Sequence, residues 1–220
     1  MSIELKKRIF TSLFLSLGLI VMYLYTFVLI PALILIGIIC WIEFYAIISK
    51  IFFKNNIKNK VLRFLIKALS LLYLSLIVFT IFYLKSNNSE LQIIIIYSLF
   101  ISIASDIGGF VFGKFFKGRK LTKISPNKTI SGSFGSFIFS LILIPFFTHF
   151  SNEYNPIHIF IYTLLISLIS QSGDLFISLL KRKAKIKDTS DLLPGHGGFL
   201  DRLDGIIFAI PLGLFLFNNI

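Results

Sequence analysis

Long apolar runs separated by short basic segments organise the 220 residues. A helix needs roughly 20 apolar residues to cross about 30 Å of hydrocarbon. Residues 9–49 run to about twice that length, hold a single ionisable group, Glu43, and carry Pro31 near their middle, which predicts two spans joined there by a tight turn. Further runs at 64–84, 91–113, 133–150, 157–180 and 205–217 bring the expected number of spans to seven. The last is short for a full crossing and is expected either to begin nearer Phe199 or to stop inside the bilayer. The pattern predicts an all-α, polytopic transmembrane helix bundle. It forms one integral membrane domain, residues 1–220, with N-terminal spans over 1–100 and core spans and cytoplasmic loops over 101–220. No polar stretch is long enough to fold separately.

Charge placement orients this bundle. With the N-terminus in the cytoplasm, 21 of the 22 Lys and Arg residues fall on one side and only Lys85 on the other, as the positive-inside rule requires. A single first span would instead put six basic residues, from Lys50 to Lys67, outside. Lys6, Lys7 and Arg8 ahead of the first run imitate a secretory signal. That run is too long for such a signal and no small-residue cleavage site follows, so a retained anchor is expected. The basic excess, 22 Lys and Arg against 10 Asp and Glu, is placed beside spans. It therefore points to an anionic lipid surface and a phosphorylated substrate, with no nucleic acid. Cys40, the only cysteine, lies in an apolar run and excludes an intrachain disulfide.

Two aspartates break the rule that spans exclude charge. Asp106 lies seven residues before Gly113 and Asp174 six before Leu180, which puts both about 10 Å below the cytoplasmic end at ~1.5 Å per residue. Asp201 and Asp204 stand three apart and share a face of the last helix if it reaches back so far. Carboxylates at the level of lipid phosphates suit a hard divalent cation, Mg2+, that completes its shell with phosphate oxygens. The plain alternative for any one Asp is a partner Lys or Arg that settles helix register. After the sixth run, residues 178–204 crowd glycines and charges together, among them Lys181, Arg182, Lys187, Asp188, Gly195, His196, Gly197, Gly198, Asp201, Arg202 and Asp204. Glycines let backbone N–H groups close on phosphate oxygens, and Lys181, Arg182 and Arg202 can neutralise a triphosphate. His196 could orient a phosphate, accept a proton or fix the loop. His149 and His158 fall at the opposite membrane face and are poor catalytic candidates. Glu43, between Trp41 and Tyr45 near the cytoplasmic end of the second span, reads either as a polar lining residue or, the favoured reading, as a side chain reaching the interface.

The stretch from Ser178 to Asp204 resembles the signature of the phosphatidate cytidylyltransferase family, the CDP-diacylglycerol synthases, at every fixed position. Residues 171–175, Gln-Ser-Gly-Asp-Leu, look like that family's metal-binding segment, and 125–129, Ser-Pro-Asn-Lys-Thr, like its central loop. The likeness covers Ser105 to Asp204 well and the first hundred residues by hydropathy alone. Gly109-Phe110 stands where the family usually has Ala-Tyr, and Ile130-Ser131-Gly132 where it has Trp-Glu-Gly, so no role is expected for a Tyr or Glu there. The chain is shorter than typical members, by one or two peripheral spans.

The resemblance implies transfer of the cytidylyl group of CTP to phosphatidic acid, giving CDP-diacylglycerol and pyrophosphate. The expected setting is a homodimer in the inner (plasma) membrane with its site facing the cytoplasm. It makes Asp174 and Asp201, then Asp204 and Asp106, the expected ligands of Mg2+, alone or with a monovalent cation such as K+ beside it. Lys128, Lys181, Arg182, Lys187, Asp188, His196 and Arg202 become the expected catalytic groups. Ser125, Thr129, Ser178, Gly195, Gly197 and Gly198 are expected to contact substrate. Two other readings keep the fold: a cytidylyltransferase acting on an isoprenoid ether lipid, and a CTP-dependent polyprenol kinase. A transporter would instead need carboxylates near the midplane and inverted-repeat symmetry.

Overall fold

A computed structural model describes residues 3–54, 56–87, 89–122, 125, 128–150 and 154–218. Pro126 and Asn127 of the central loop lie outside the described residues. Among the described residues the chain forms nine helices and no strand: α1 (Ile3–Leu24), α2 (Thr26–Ile51), α3 (Ile57–Asn87), α4 (Ser89–Phe116), α5 (Ile130–Leu141), α6 (Ile144–Phe150), α7 (Pro156–Lys183), α8 (Leu200–Leu203) and α9 (Ile206–Asn218). Helices are what such a sequence must form in lipid, where every backbone N–H and C=O has to be satisfied within its own segment.

Five stretches are long and apolar enough to cross a membrane: Thr26–Ile51, Ile57–Leu84, Gln92–Phe116, Ile130–His149 and Pro156–Lys183. The chain is a multi-pass helical membrane protein. Two of the seven expected spans fall short of a full crossing, the apolar part of α1 at Ile9–Leu24 and α9 with 13 residues. The first turn is also displaced from its expected place. The break falls at Tyr25, in extended conformation, while Pro31 lies inside α2. A proline inside a helix forfeits one hydrogen bond, whereas ending the helix there would expose several unpaired backbone groups. Within Ile130–His149 the helix is interrupted at Ile142 and Leu143, and Pro145 opens the following segment.

The last helix does not reach back to Phe199. Residues 200–203 make a separate turn, α8, and α9 starts anew at Ile206. Asp201 and Asp204 therefore share no helix face.

Two compact units divide the chain: residues 1–85 with 180–203, and residues 86–179 with 204–220. The glycine-rich segment thus groups with the N-terminal helices. In the other unit α4 and α5 pack backbone to backbone. A Cβ on Gly108 would lie 2.3 Å from the Gly135 carbonyl oxygen, and one on Gly132 2.8 Å from that of Gly109. Small residues drive helix association in lipid because burial of apolar surface gives no advantage there. Polar side chains complete the packing: Ser136 Oγ donates to the Ser105 carbonyl (2.7 Å), Ser167 Oγ to Ser105 Oγ (3.2 Å) and Ser133 Oγ to Gln171 Oε1 (2.6 Å). An aromatic cluster of Tyr97, Phe147, Tyr154, Tyr162 and Phe217 closes the opposite end of this unit.

Candidate active site

A cavity of about 270 Å³ opens in the unit formed by 86–179 and 204–220, lined by Ser105, Asp106, Gly109, Ser125, Lys128, Thr129, Ser133, Asp174 and Ser178 among others. Local folding puts each of these there. The ends of the loop before α5 are drawn together by an antiparallel bridge between Lys120 and Thr129, with Leu121 N donating to the Lys128 carbonyl (2.8 Å). Thr129 then caps α5, its Oγ1 accepting from Gly132 N (3.0 Å), which satisfies one of the orphan donors of a helix start. Lys128 is thereby aimed at α7, where its ammonium pairs with Asp174. Ser178, one turn on, lies 3.4 Å from the other oxygen of that carboxylate. Gly173 leaves room for α9 beside Asp174, since a Cβ there would meet the Phe208 ring at 2.4 Å.

Asp106 and Asp174, expected together, line one cavity. Lys128 and Asp174 remain 27% and 26% exposed. An ion pair so accessible adds about 1 kcal/mol or less to stability, so the pair is better understood as a cation and an anion facing an open, hydroxyl-lined space. Asp204 is buried in the same unit, and its carboxylate accepts from Gly205 N at 2.9 Å.

The second group of expected residues gathers in the unit of 1–85 and 180–203. Helix α7 ends with Ile186 N donating to the Lys181 carbonyl and Lys185 N to that of Arg182, with Lys185 at φ 57°. This is a Schellman close with a lysine at the left-handed position. Lys181, Arg182 and Lys183 lie in the last turn, where positive charge suits the helix dipole. Residues 193–197 form a tight turn: His196 N donates to the Leu193 carbonyl (2.8 Å), and Gly195, after Pro194, has φ 78°. Proline then glycine is the pair a type II turn requires.

Asp201 ties this turn to the end of α7. Its Oδ1 accepts from Lys181 Nζ (2.6 Å); its Oδ2 accepts from Thr189 N (2.8 Å) and Gly198 N (3.0 Å) and lies 3.0 Å from Thr189 Oγ1, whose one proton is shared with Glu43. Burial alone would raise its pKa, but the Lys181 ammonium and the two backbone N–H groups overcome this and hold the carboxyl below its usual value. The Gly198 N–H is thus given to Asp201, and the Gly197 N–H to the Leu193 carbonyl at 3.1 Å. Arg202 donates from Nε and Nη2 to the His196 carbonyl (3.1 and 2.8 Å). Arg182, Lys187 and Asp188 are exposed.

A model of the cytidylyltransferase family matches residues 2–219. The chain belongs to the cytidylyltransferase family. Proteins named phosphatidate cytidylyltransferase are similar to it: 42% identical over 59% of this chain and 60% of the protein in Rickettsia typhi, 40% over 56% and 46% in Bacillus subtilis, and 39% over 54% and 43% in Haemophilus influenzae. The aligned part thus spans about half the length of these curated relatives.

One residue of this family member was misread from its sequence. Glu43 does not reach an interface: it is 3% exposed and accepts from Thr189 Oγ1 (2.8 Å), Ser190 Oγ (2.5 Å), Phe199 N (3.1 Å) and Leu200 N (2.8 Å). The available signal was its position as the lone ionisable group in residues 9–49. A carboxylate inside a span costs on the order of 3 kcal/mol on insertion scales and marks a partner. Helix α1 contributes as well, Thr11 Oγ1 donating to the Pro194 carbonyl at 2.8 Å.

Proposed function

We propose that this protein transfers the cytidylyl group of CTP to phosphatidic acid, forming CDP-diacylglycerol and pyrophosphate. The observation that carries this reading is the Lys128–Asp174 pair with Asp106 in one hydroxyl-lined cavity of a membrane-embedded cytidylyltransferase. The phosphatidate phosphate is already ionised at neutral pH, so its oxygen needs no strong general base. The new bond forms to the α-phosphorus of CTP as the bond from that phosphorus to the pyrophosphate oxygen breaks, and the leaving group departs as an anion. The chain's task is to bring two anions together in line and to screen their charge. Lys128 can meet a phosphate oxygen, and the hydroxyls of Ser125, Thr129 and Ser178 can orient one.

The donor set fits Mg2+. Two carboxylates, Asp106 and Asp174, line the cavity with hydroxyl oxygens, and a hard cation takes one or two carboxylates and fills its shell with phosphate and water. Among the described residues no three His, Cys, Asp or Glu groups come together as a ready metal cage. When bound, Mg2+ would supply charge for the transferring and leaving phosphates. The charge asymmetry of the loops favours a site at the cytoplasmic face of the inner membrane, and resemblance favours a homodimer.

Incubating the purified chain in detergent with CTP, Mg2+ and phosphatidic acid should release pyrophosphate. Asp174→Asn and Lys128→Ala should each lower turnover by at least about 100-fold, whereas exposed Lys183→Ala should leave it within about twofold. Formation of CDP from CTP as the γ-phosphoryl group passes to a polyprenol hydroxyl, with no pyrophosphate released when phosphatidate is supplied, would favour the kinase instead.

A further inference from the structure

Glu43 reaches the glycine-rich segment from a part of the chain that carries no signature residue. Its two carboxylate oxygens accept from four donors that lie at the two ends of that segment: the hydroxyls of Thr189 and Ser190 at one, the backbone N–H groups of Phe199 and Leu200 at the other. Residue 198 has to be glycine for this to happen, because a Cβ there would stand 2.5 Å from both Glu43 oxygens and 2.0 Å from Thr189 Oγ1. Thr189 Oγ1 lies between Glu43 Oε2 and Asp201 Oδ2, at 2.8 and 3.0 Å. The Glu43 clasp and the Asp201 clasp therefore meet at one side chain.

We propose that Glu43 is a positioning residue for nucleotide use: it pins residues 189–190 to residues 198–200 and so fixes the segment that carries Lys187, Asp188, Asp201 and Arg202. The carboxylate sits eight residues before the end of α2 and is buried, so this hold on the segment comes from the apolar helix. An aspartate, one methylene shorter, cannot span both ends of the segment from the same backbone position. A glutamine of equal length replaces one acceptor oxygen by an NH2 donor, and so loses about half of the four bonds. This inference rests on the cytidylyl-transfer reading above.

The test measures two things on the full chain in detergent. The first is amide hydrogen exchange of residues 189–200 in the wild type, Glu43→Gln and Ser190→Ala; it does not depend on which reaction is catalysed. The second is the steady-state kinetics of the same proteins with CTP and phosphatidic acid. Glu43→Gln should speed exchange over 189–200 by at least about tenfold, as expected for two lost bonds to a charged acceptor, and leave α4 and α5 unchanged. It should raise KM for CTP about tenfold or more, with kcat and the KM for phosphatidate within about threefold. Ser190→Ala, which removes one donor and leaves the others, should move both readouts in the same direction by less. A residue that merely stabilises the fold would lower the active fraction, and so kcat, with KM for CTP unchanged; that result overturns the proposal. So does wild-type exchange over 189–200 in both variants. If the wild type itself fails to turn over CTP and phosphatidate while its exchange responds to Glu43→Gln as stated, the cytidylyl-transfer reading falls and the Glu43 clasp stands.

Discussion

Replacing Lys181 by Met would leave Asp201 charged where its side chain is 4% exposed. Removing one partner from a buried ion pair costs about 3–5 kcal/mol. Here the full cost is not expected, because Asp201 keeps the N–H groups of Thr189 and Gly198. About 2–3 kcal/mol is then a reasonable loss, which corresponds to a rise of roughly 30- to 150-fold in the opening of the segment. The reverse change is milder. In Asp201→Asn the lysine, 12% exposed, can swing its flexible stem toward water, so the cost should be about 1 kcal/mol. Combining Lys181→Met with Asp201→Leu removes both charges but also takes the acceptor from the N–H groups of Thr189 and Gly198, so the double variant should not recover the stability lost in Lys181→Met. Hydrogen exchange over 186–200 measures the opening directly, with α4 and α5 as the internal reference. Wild-type exchange in Lys181→Met, or a greater loss in Asp201→Asn than in Lys181→Met, would refute the reasoning.

Other consequences are simpler to check. Gly108→Ala forces a Cβ to within 2.3 Å of the Gly135 carbonyl oxygen; separating the two backbones should cost about 1–3 kcal/mol, seen as a lower thermal midpoint in detergent. Lys185→Gly relieves a left-handed lysine at φ 57° and should stabilise the end of α7 by up to about 1 kcal/mol, measured by the same melt. Because the Asp201 carboxyl is held below its usual value, its contribution should be fully present above the unfolded value of about 4 and lost as pH falls through the lower folded value. Limited pepsin digestion should therefore find residues 186–200 protected near pH 4 and cut only at more acid pH; cleavage already complete near pH 4 would contradict the assignment.

What the sequence determined by itself was the class of fold and the inventory of chemistry. Apolar runs long enough to cross lipid leave the backbone no choice but helix, so five of the expected spans were legible, as were Asp106 and Asp174 within two of them. Tertiary structure alone decided which groups meet. Lys128 and Asp174 are 46 residues apart, and Thr189 and Glu43 146 apart; no periodicity within a helix encodes such distances. Helix boundaries were also decided in three dimensions: Pro31 is absorbed into α2 and the break moves to Tyr25, while Asp201 falls in α8 and Asp204 in the turn before α9. Glu43 shows the reason most plainly. Hydropathy records the cost of placing a carboxylate in a span, but the four donors that offset that cost come from a distant segment, and only the folded chain brings them to it.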